Sequence, residues 1–504
     1  MSLKRMVLLI LAMAVLLAVS TYAQSDDVQA TLEDYAAKTW ASFVAMHPDD
    51  YLLVADALEA DGALSQNTSP TNIGSYIWST LAARDLGLID AEEAAARVSQ
   101  TLTALGTLEH HEESGQFYNW YSPVNGTVLT TWPNSTDTVC PFLSSVDNGW
   151  LAAALMMVPQ AIPELADEAQ ALYESMHFDF YYDPNVGLFR GGYWPPEMQP
   201  EGRGCNSGFT GHHYGTLNSE TRIISYVGIG LGQVPATHYF KLSRTFPATC
   251  DWSWQEMKPQ GNSVTYTVQS ADGIAQEIRT FEGYYSYRGI EVVPSWGGAM
   301  FEALMPNLLV PEAEWGPQSW ALNHQRFVQA QMEHGLNEAQ YGYWGFSPSS
   351  NPTGGYREYG VDAIGMDTDG YTSDARRTSV DYGFEGCSGR SSTSIPTADQ
   401  YVTGVVTPHA TFMALEFDTE ATMTNLSNLA NDFDMVDAEY GFYDAVQVNN
   451  GRMARRFLAL DQGMTMLALT NYLTDGQFRH YFADAIEPTV RPLLEMEVFG
   501  YAAN

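Results

Sequence analysis

HHYGTLNSETRIISY, residues 212–226, sets a polar run directly against the start of an apolar helix. Ile223, Ile224, Tyr226, Val227 and Ile229 form the apolar part. Asn218 or Ser219 reads as the N-cap, which puts Glu220 and Arg222 in or beside the first turn. A glutamate at a helix mouth, flanked by His212, His213, Tyr214 and Arg222, has the makings of an acid in a polar cleft. The competing reading is a capping glutamate that satisfies backbone N–H groups and pairs with Arg222.

Helical signals continue on both sides. Apolar residues recur at Val28, Leu32, Tyr35, Phe43 and Met46, a helical stripe. Ser69-Pro70 reads as an N-cap followed by the first helical residue, with Gly87 as the stop. Asp90 with Glu93 reads as a capping box opening a helix marked by Val98, Leu102 and Leu105. Further helices are predicted over 146–158, 163–177, 219–232, 297–306, 317–335, 402–416, 419–432, 459–473 and 476–496. Twelve helices predict an all-α chain, an (α/α)6 toroid of six helical hairpins, with residues 24–504 as one domain and inner helices aimed at a central cleft. The interruption at 244–293 alternates over Ser263–Val268 and is β-branched over Ile290–Val293, which predicts a small β excursion. Two long irregular stretches, 112–143 and 340–400, carry Trp120, Tyr121, Trp344, Phe346 and Tyr356 and are expected to line the cleft.

Lys4 and Arg5, the apolar run Met6–Val19 and the small residues before Ala23 read as a secretory signal peptide over 1–23, cleaved after Ala23. The expected product is secreted or periplasmic, without a membrane anchor and monomeric. Cys140, Cys205, Cys250 and Cys387 allow two disulfides in three connectivities, and their spacing suggests no zinc. The formal charge is −37, and only Lys38, Lys241 and Lys258 follow the signal segment as lysines. Such a surface repels nucleic acid, anionic membranes and polyanionic polysaccharides. A neutral poly- or oligosaccharide is the expected partner. Asp367 and Asp369 resemble the start of a calcium loop but lack its full spacing, so no cofactor is expected beyond a calcium ion as the lesser alternative.

Aromatic residues make up 12% of the chain and cluster in the loops beside Asn and Asp, as sugar stacking requires. Glycoside cleavage needs two carboxyls, one to protonate the leaving oxygen and one to act as base or nucleophile. Glu220 is the acid candidate. Asp147, Asp444 and Asp461, each at or near a helix start, are candidates for its partner, in the order Asp147 then Asp461. Capping is the plain alternative for each.

The stretches 69–89 (SPTNIGSYIWSTLAARDLGLI), 115–121 (GQFYNWY), 144–155 (SSVDNGWLAAAL), 217–226 (LNSETRIISY), 294–306 (PSWGGAMFEALMP), 341–356 (YGYWGFSPSSNPTGGY) and 441–464 resemble, in order, the bacterial glucoamylase-like (glycoamylase) family. That family includes endo-β-1,2-glucanases and the glucan-processing domains of cyclic β-1,2-glucan synthases. The resemblance implies an (α/α)6 toroid with a central sugar cleft. It implies Glu220 as general acid, Asp147 as a second cleft carboxylate and Asp461-Gln462 in an Asp-Gln-Gly motif. Trp296 and Glu302 fall in its Trp-Gly-Gly…Phe-Glu motif. Tyr121, Trp120, Trp150, Arg222, Tyr356 and Asp444 complete the expected sugar-binding set. Ser350-Asn351 and Leu217 depart from residues common in relatives. The implied activity is hydrolysis of a neutral β-glucan, β-1,2-glucan or its oligosaccharides foremost. The alternatives are a transglycosylase, a polysaccharide lyase using Tyr214, His213 and Arg222, or a non-catalytic glycan-binding protein.

Overall fold

Spacing of apolar residues and caps placed twelve helices, and each of those segments carries one. The structure is a computed structural model and describes residues 27–245, 259–269, 273–366 and 397–502. The signal-peptide segment, Cys250, Cys387 and the Asp367–Asp369 calcium reading lie outside these residues. In chain order the helices are α1 (27–46), α2 (Pro70–Asp85), α3 (Ala91–Leu105), α4 (Ser145–Ala161), α5 (Ala166–Glu174) and α6 (Arg222–Gly230). After the sheet come α7 (Met300–Leu304), α8 (Glu312–Trp315), α9 (Trp320–Glu333), α10 (Pro408–Phe412), α11 (Thr419–Phe433), α12 (Ala459–Leu473) and α13 (His480–Met496).

The caps explain the boundaries. Ser69 accepts from the Asn72 N–H at the mouth of α2, with Pro70 where no N–H is needed. At the far end Gly87 takes a left-handed φ of 71°, and Leu88 N–H returns to Ala83 O while Gly87 N–H returns to Arg84 O, a Schellman closure. Asp90 caps α3 through the Glu93 N–H. The reciprocal half of the expected box is replaced, because the Glu93 carboxylate takes Arg97 at 2.9 Å.

The helices are of two kinds. In α2 every residue from Pro70 to Ala83 is buried, and α4, α6 and α12 are likewise buried almost throughout. By contrast α3, α11 and α13 each bury one stripe, such as Phe482, Ile486, Val490 and Leu493 in α13. A helix apolar on every face must be enclosed, whereas a one-sided helix covers it. Accordingly α2 lies between α4 and α12, α4 also touches α6, and α12 touches α10. The next helix in sequence covers α2, α4 and α10, and α9 covers α7. For α6 the chain departs into a sheet instead, and α13 returns to cover it together with α4.

Two glycines permit the tightest approaches. A Cβ on Gly149 of α4 would lie 2.3 Å from Ile224 Cγ2 of α6, and one on Gly463 of α12 would lie 2.8 Å from Ser75 Cβ of α2. Each sits two residues after a carboxylate, in Asp147-Asn-Gly and Asp461-Gln-Gly. The small residue lets the acid-bearing helix end press against its neighbour.

The β excursion is a three-stranded antiparallel sheet of β1 (Gln260–Gln269), β2 (Ala275–Tyr287) and β3 (Ile290–Val292), with β2 in the middle. Arg288 and Gly289, both at positive φ, make the two-residue turn between β2 and β3, as a tight hairpin requires. The stretch 112–143 is stitched by isolated bridges such as Tyr121↔Val128 and Thr131↔Thr138. Cys140 pairs with Cys205 across it. Short ladders follow: β4 (Ser349–Ser350) with β5 (Tyr356–Arg357), β6 (Gly441–Phe442) with 436–437, and β7 (Ala445–Gln447) between 405–406 and 452–454.

Among the described residues, no helix is long and apolar enough to cross a membrane.

Candidate functional site

The N-terminal turn of α2 is the hinge of the site. Thr71 Oγ1 donates to Asp147 Oδ1 at 2.5 Å, and the adjacent Asn72 Nδ2 donates to Asp56 Oδ1 at 2.7 Å. These two carboxylates belong to two buried acidic groups, one on each side of the turn.

The first group surrounds Glu220. The helix begins at Arg222 with no side-chain cap, so Glu220 precedes α6 and is not its capping residue. Trp150 Nε1 donates to Glu220 Oε2 at 2.7 Å. Glu302, in the first turn of α7, receives Ser219 Oγ at 2.7 Å and the Glu220 N–H at 2.9 Å. Burial pushes the Glu220 carboxyl well above the usual carboxylate range, with the Glu302 and Asp147 charges adding to it. Its surroundings therefore favour the protonated form of Glu220. Burial also raises the Tyr214 phenol, helped by Glu220, Asp147 and Glu302, which places Tyr214 in this group.

Asp147 sits in the first turn of α4, whose cap is Ser144. It is partly exposed, and desolvation raises its carboxyl. With its amide nitrogen facing the carboxylate, Asn119 donates to Asp147 Oδ2 at 2.8 Å and accepts from Trp120 Nε1 at 3.2 Å. Both Asp147 oxygens are thus engaged.

The second group surrounds Asp461, in the first turn of α12. One ring nitrogen of His409 and one carboxylate oxygen each of Asp461 and Asp444 lie within 4.8 Å of one another. His409 Nδ1 is 3.2 Å from Asp461 Oδ2 and 2.7 Å from Thr407 Oγ1. Asp444 Oδ2 accepts the Ser350 N–H at 2.6 Å. Both oxygens of Asp461, Oδ1 of Asp444, Nε2 of His409 and Oε1 of Gln462 are buried without a hydrogen-bond partner. Burial raises Asp461 to about 7, with Asp56 adding to it, and raises Asp444 well above its ordinary range. Burial lowers His409 to about 4, leaving a neutral imidazole. Tyr356 on β5 exposes 48% of its surface, and its hydroxyl is raised by desolvation and by Asp461 and Asp444.

Several expected sugar contacts are internal. Arg222 is fully buried; it grips Glu312 at 2.6 and 2.8 Å and donates to the Ser219, Glu302 and Ala303 carbonyls. Tyr226 and His324 complete the shell of Glu312, which Arg222 holds down at about 2 against its burial. Arg222 therefore fixes the backbone beneath Glu220 and has no donor to offer a ligand. Tyr121 is buried, its hydroxyl bound between Glu109 O and Tyr118 N. Trp150 is buried, edge-on to Trp78, and acts on Glu220. Trp344 and Phe346 are also core. Loop aromatics here mostly fold back into the core; Trp120, Trp296 and Tyr356 keep exposed surface. His213 pairs with Asp183 at 3.1 Å, so neither it nor Arg222 is free for the base and neutraliser of a lyase. Thr71, Asn119, Asp56 and His409 were missed. Thr71 alone carried a signal, since it follows the Ser-Pro helix start.

The arrangement offers a carboxyl at Glu220 raised by burial, a close pair of buried carboxyls at Asp444 and Asp461, and aromatic faces that keep some exposure.

Comparison with known proteins agrees with this geometry. Residues 34–181 match a family described only as a protein of unknown function. The chain is 24% identical over 382 residues to the cyclic β-(1,2)-glucan synthase NdvB of Rhizobium meliloti, covering 73% of this chain and 10% of that much longer protein. Among solved structures it is similar to a "putative glucoamylase" from Bacteroides fragilis (TM-score 0.62, 18% identity, 92% of this chain and 96% of that one). It is also similar to an endo-β-1,2-glucanase from Chitinophaga pinensis in complex with sophorotriose and glucose (0.61, 16%, 93% and 97%). A third is the endo-β-1,2-glucanase from Talaromyces funiculosus in complex with sophorose (0.63, 12%, 94% and 88%). These likenesses show a shared fold. Residues 263–484 match the Glycoamylase family, described as "Putative glucoamylase", the family that the sequence motifs resemble.

Proposed function

We propose that this protein is an exported, monomeric glycoside hydrolase that cleaves a neutral β-glucan, β-1,2-glucan or its oligosaccharides, in the cleft of an (α/α)6 toroid. The enclosed helices α2, α4, α6, α7, α10 and α12 are the inner ring of that reading, with the two acidic groups at their N-terminal ends. The observation that carries it is a buried Glu220, its carboxyl raised by burial and oriented by Trp150, across the α2 turn from Asp461.

Glu220 gives its proton to the glycosidic oxygen as the C–O bond breaks. Asp461 accepts a proton from water, directly or through a substrate hydroxyl, as the water oxygen bonds to the anomeric carbon. Asp461 is preferred over Asp147 as this base because both Asp147 oxygens already accept hydrogen bonds, whereas no backbone or hydroxyl donor reaches either oxygen of Asp461. Asp147 then orients sugar hydroxyls, and Trp120, Trp296 and Tyr356 stack sugar rings.

Reducing-end release from a panel of neutral β-glucans by wild type, Glu220→Gln and Asp461→Asn tests the reading. Activity on one linkage that both substitutions abolish is expected. Equal oligosaccharide binding by all three proteins, with no release from any glucan, makes the protein a glycan-binding module. Larger products without new reducing ends make it a transglycosylase.

A further inference from the structure

Asp444 and Asp461 pose a charge problem that the hydrolytic reading alone does not resolve. Their carboxyls are neighbours at a buried site, three of their four oxygens have no other donor, and the third member, His409, is buried with its pKa lowered to about 4. The groups facing them are Asp56 from the segment before α2, Arg456 from the strand before α12, Tyr356 from β5 and His409 from α10. Arg456 is the one full cation among these described groups, and it is paired with Glu59 at 3.0 Å. Asp56 adds a further carboxyl. Two ionised carboxylates cannot share such a site.

We propose that Asp444 keeps a proton and donates it to Asp461, so that the two form a one-proton dyad in which Asp444 is the positioning residue and Asp461 the working base. The inference deepens the hydrolase reading above and uses its assignment of Asp461. The asymmetry has a structural cause. Asp461 lies in the first turn of α12, where the helix dipole favours an anion. Asp444 lies between the short strands β6 and β7 with no helix end behind it. The single backbone donor to Asp444, Ser350 N–H, occupies Oδ2, and Oδ1 is left to carry the proton. A hydrogen bond from that proton supplies Asp461 with the donor it otherwise lacks and fixes its orientation.

The test exploits a mimicry. In Asp444→Asn the side-chain oxygen can still accept from Ser350 N–H while the amide nitrogen donates to Asp461, which reproduces the protonated acid. Asp444→Ala supplies neither. Infrared difference spectra of wild type minus Asp444→Asn at neutral pH are expected to show one protonated carboxyl C=O band. Asp444→Asn should keep kcat within about tenfold of wild type, with Asp444→Ala lower by a further 10- to 100-fold or so, the loss belonging to a hydrogen bond to a charged group. Melting curves establish that both variants fold. Absence of the infrared band, or equal loss in both folded variants, overturns the dyad. So does a stoichiometric divalent ion retained by dialysed wild type and lost in Asp444→Asn, because a cation would then supply the missing charge. An infrared band in a wild type that cleaves no glucan leaves the dyad standing and removes the hydrolase reading.

Discussion

Trp150→Phe isolates what the indole N–H does for Glu220. Phenylalanine keeps the aromatic packing of α4 against Trp78 and removes the single donor, 2.7 Å from Glu220 Oε2. In the ground state that donor serves a neutral carboxyl. Once Glu220 has released its proton, the same contact serves a carboxylate, and hydrogen bonds to charged groups contribute about 1.5–3 kcal/mol against ~0.5–1.5 for neutral ones. The difference appears in the barrier, so kcat should fall by roughly 5- to 30-fold, at ~1.4 kcal/mol per decade, while KM changes little. The Trp150 bond also lowers the Glu220 pKa, so its loss should move the alkaline limb of the pH–rate profile upward. Reducing-end assays across pH, with Glu220→Gln as the floor, read both quantities. Adding Trp150→Phe to Glu220→Gln should cost nothing further. An unchanged kcat, a loss confined to KM, or an additive double variant would refute the reasoning.

Tyr356→Ala should raise KM several-fold with little change in melting temperature, because half of its surface is exposed beside the Asp461 group; calorimetry with oligosaccharide reads the binding loss directly. Opening the Cys140–Cys205 bridge, whose sequence separation is 65, should cost about 4 kcal/mol on the chain-entropy account, measured by denaturation of Cys140→Ser/Cys205→Ser. Glu282 lies buried with Glu497 against one guanidinium, Arg244, and burial raises it to about 7. The folded state therefore binds its proton more tightly than the unfolded chain. Stability contributed by that proton is complete at low pH and is lost as pH rises from about 4.5 through about 7. Glu282→Gln should flatten this slope in melting curves taken across that range.

Helices were legible because their signals are local. Ser69-Pro70, Asp90 and Gly87 act within one turn of themselves, and apolar recurrence survives whatever packs against it. The short helix Glu312–Trp315 escaped because four residues carry no period, and α7 and α10 proved shorter than expected for the same reason. The carboxylates Glu220, Asp147 and Asp461 could be picked out because helix starts limit where an acid can point; Glu302 came from the family resemblance alone, and Asp444, expected near a helix start, lies between two short strands. Their grouping could not be read, since Thr71–Asp147 and Asn72–Asp56 join residues 76 and 16 positions apart. Loop aromatics misled for a related reason. A tyrosine in an irregular segment says nothing about which way it turns, and Tyr121 turned inward to close its own loop. Arg222 looked like a cleft cation until Glu312, 90 residues later, claimed it.

The turn formed by Thr71 and Asn72 also bears on how such proteins can diverge. Because neighbouring residues of one rigid helix end fasten both acidic groups, the interval between the two groups is inherited with the scaffold. The aromatics proposed to stack the rest of a sugar chain, Trp120, Trp296 and Tyr356, sit on separate segments outside the helices. Lineages can therefore exchange loops and acquire new linkages while the spacing of the reacting groups passes down intact, and a transplanted loop should carry its preference with it.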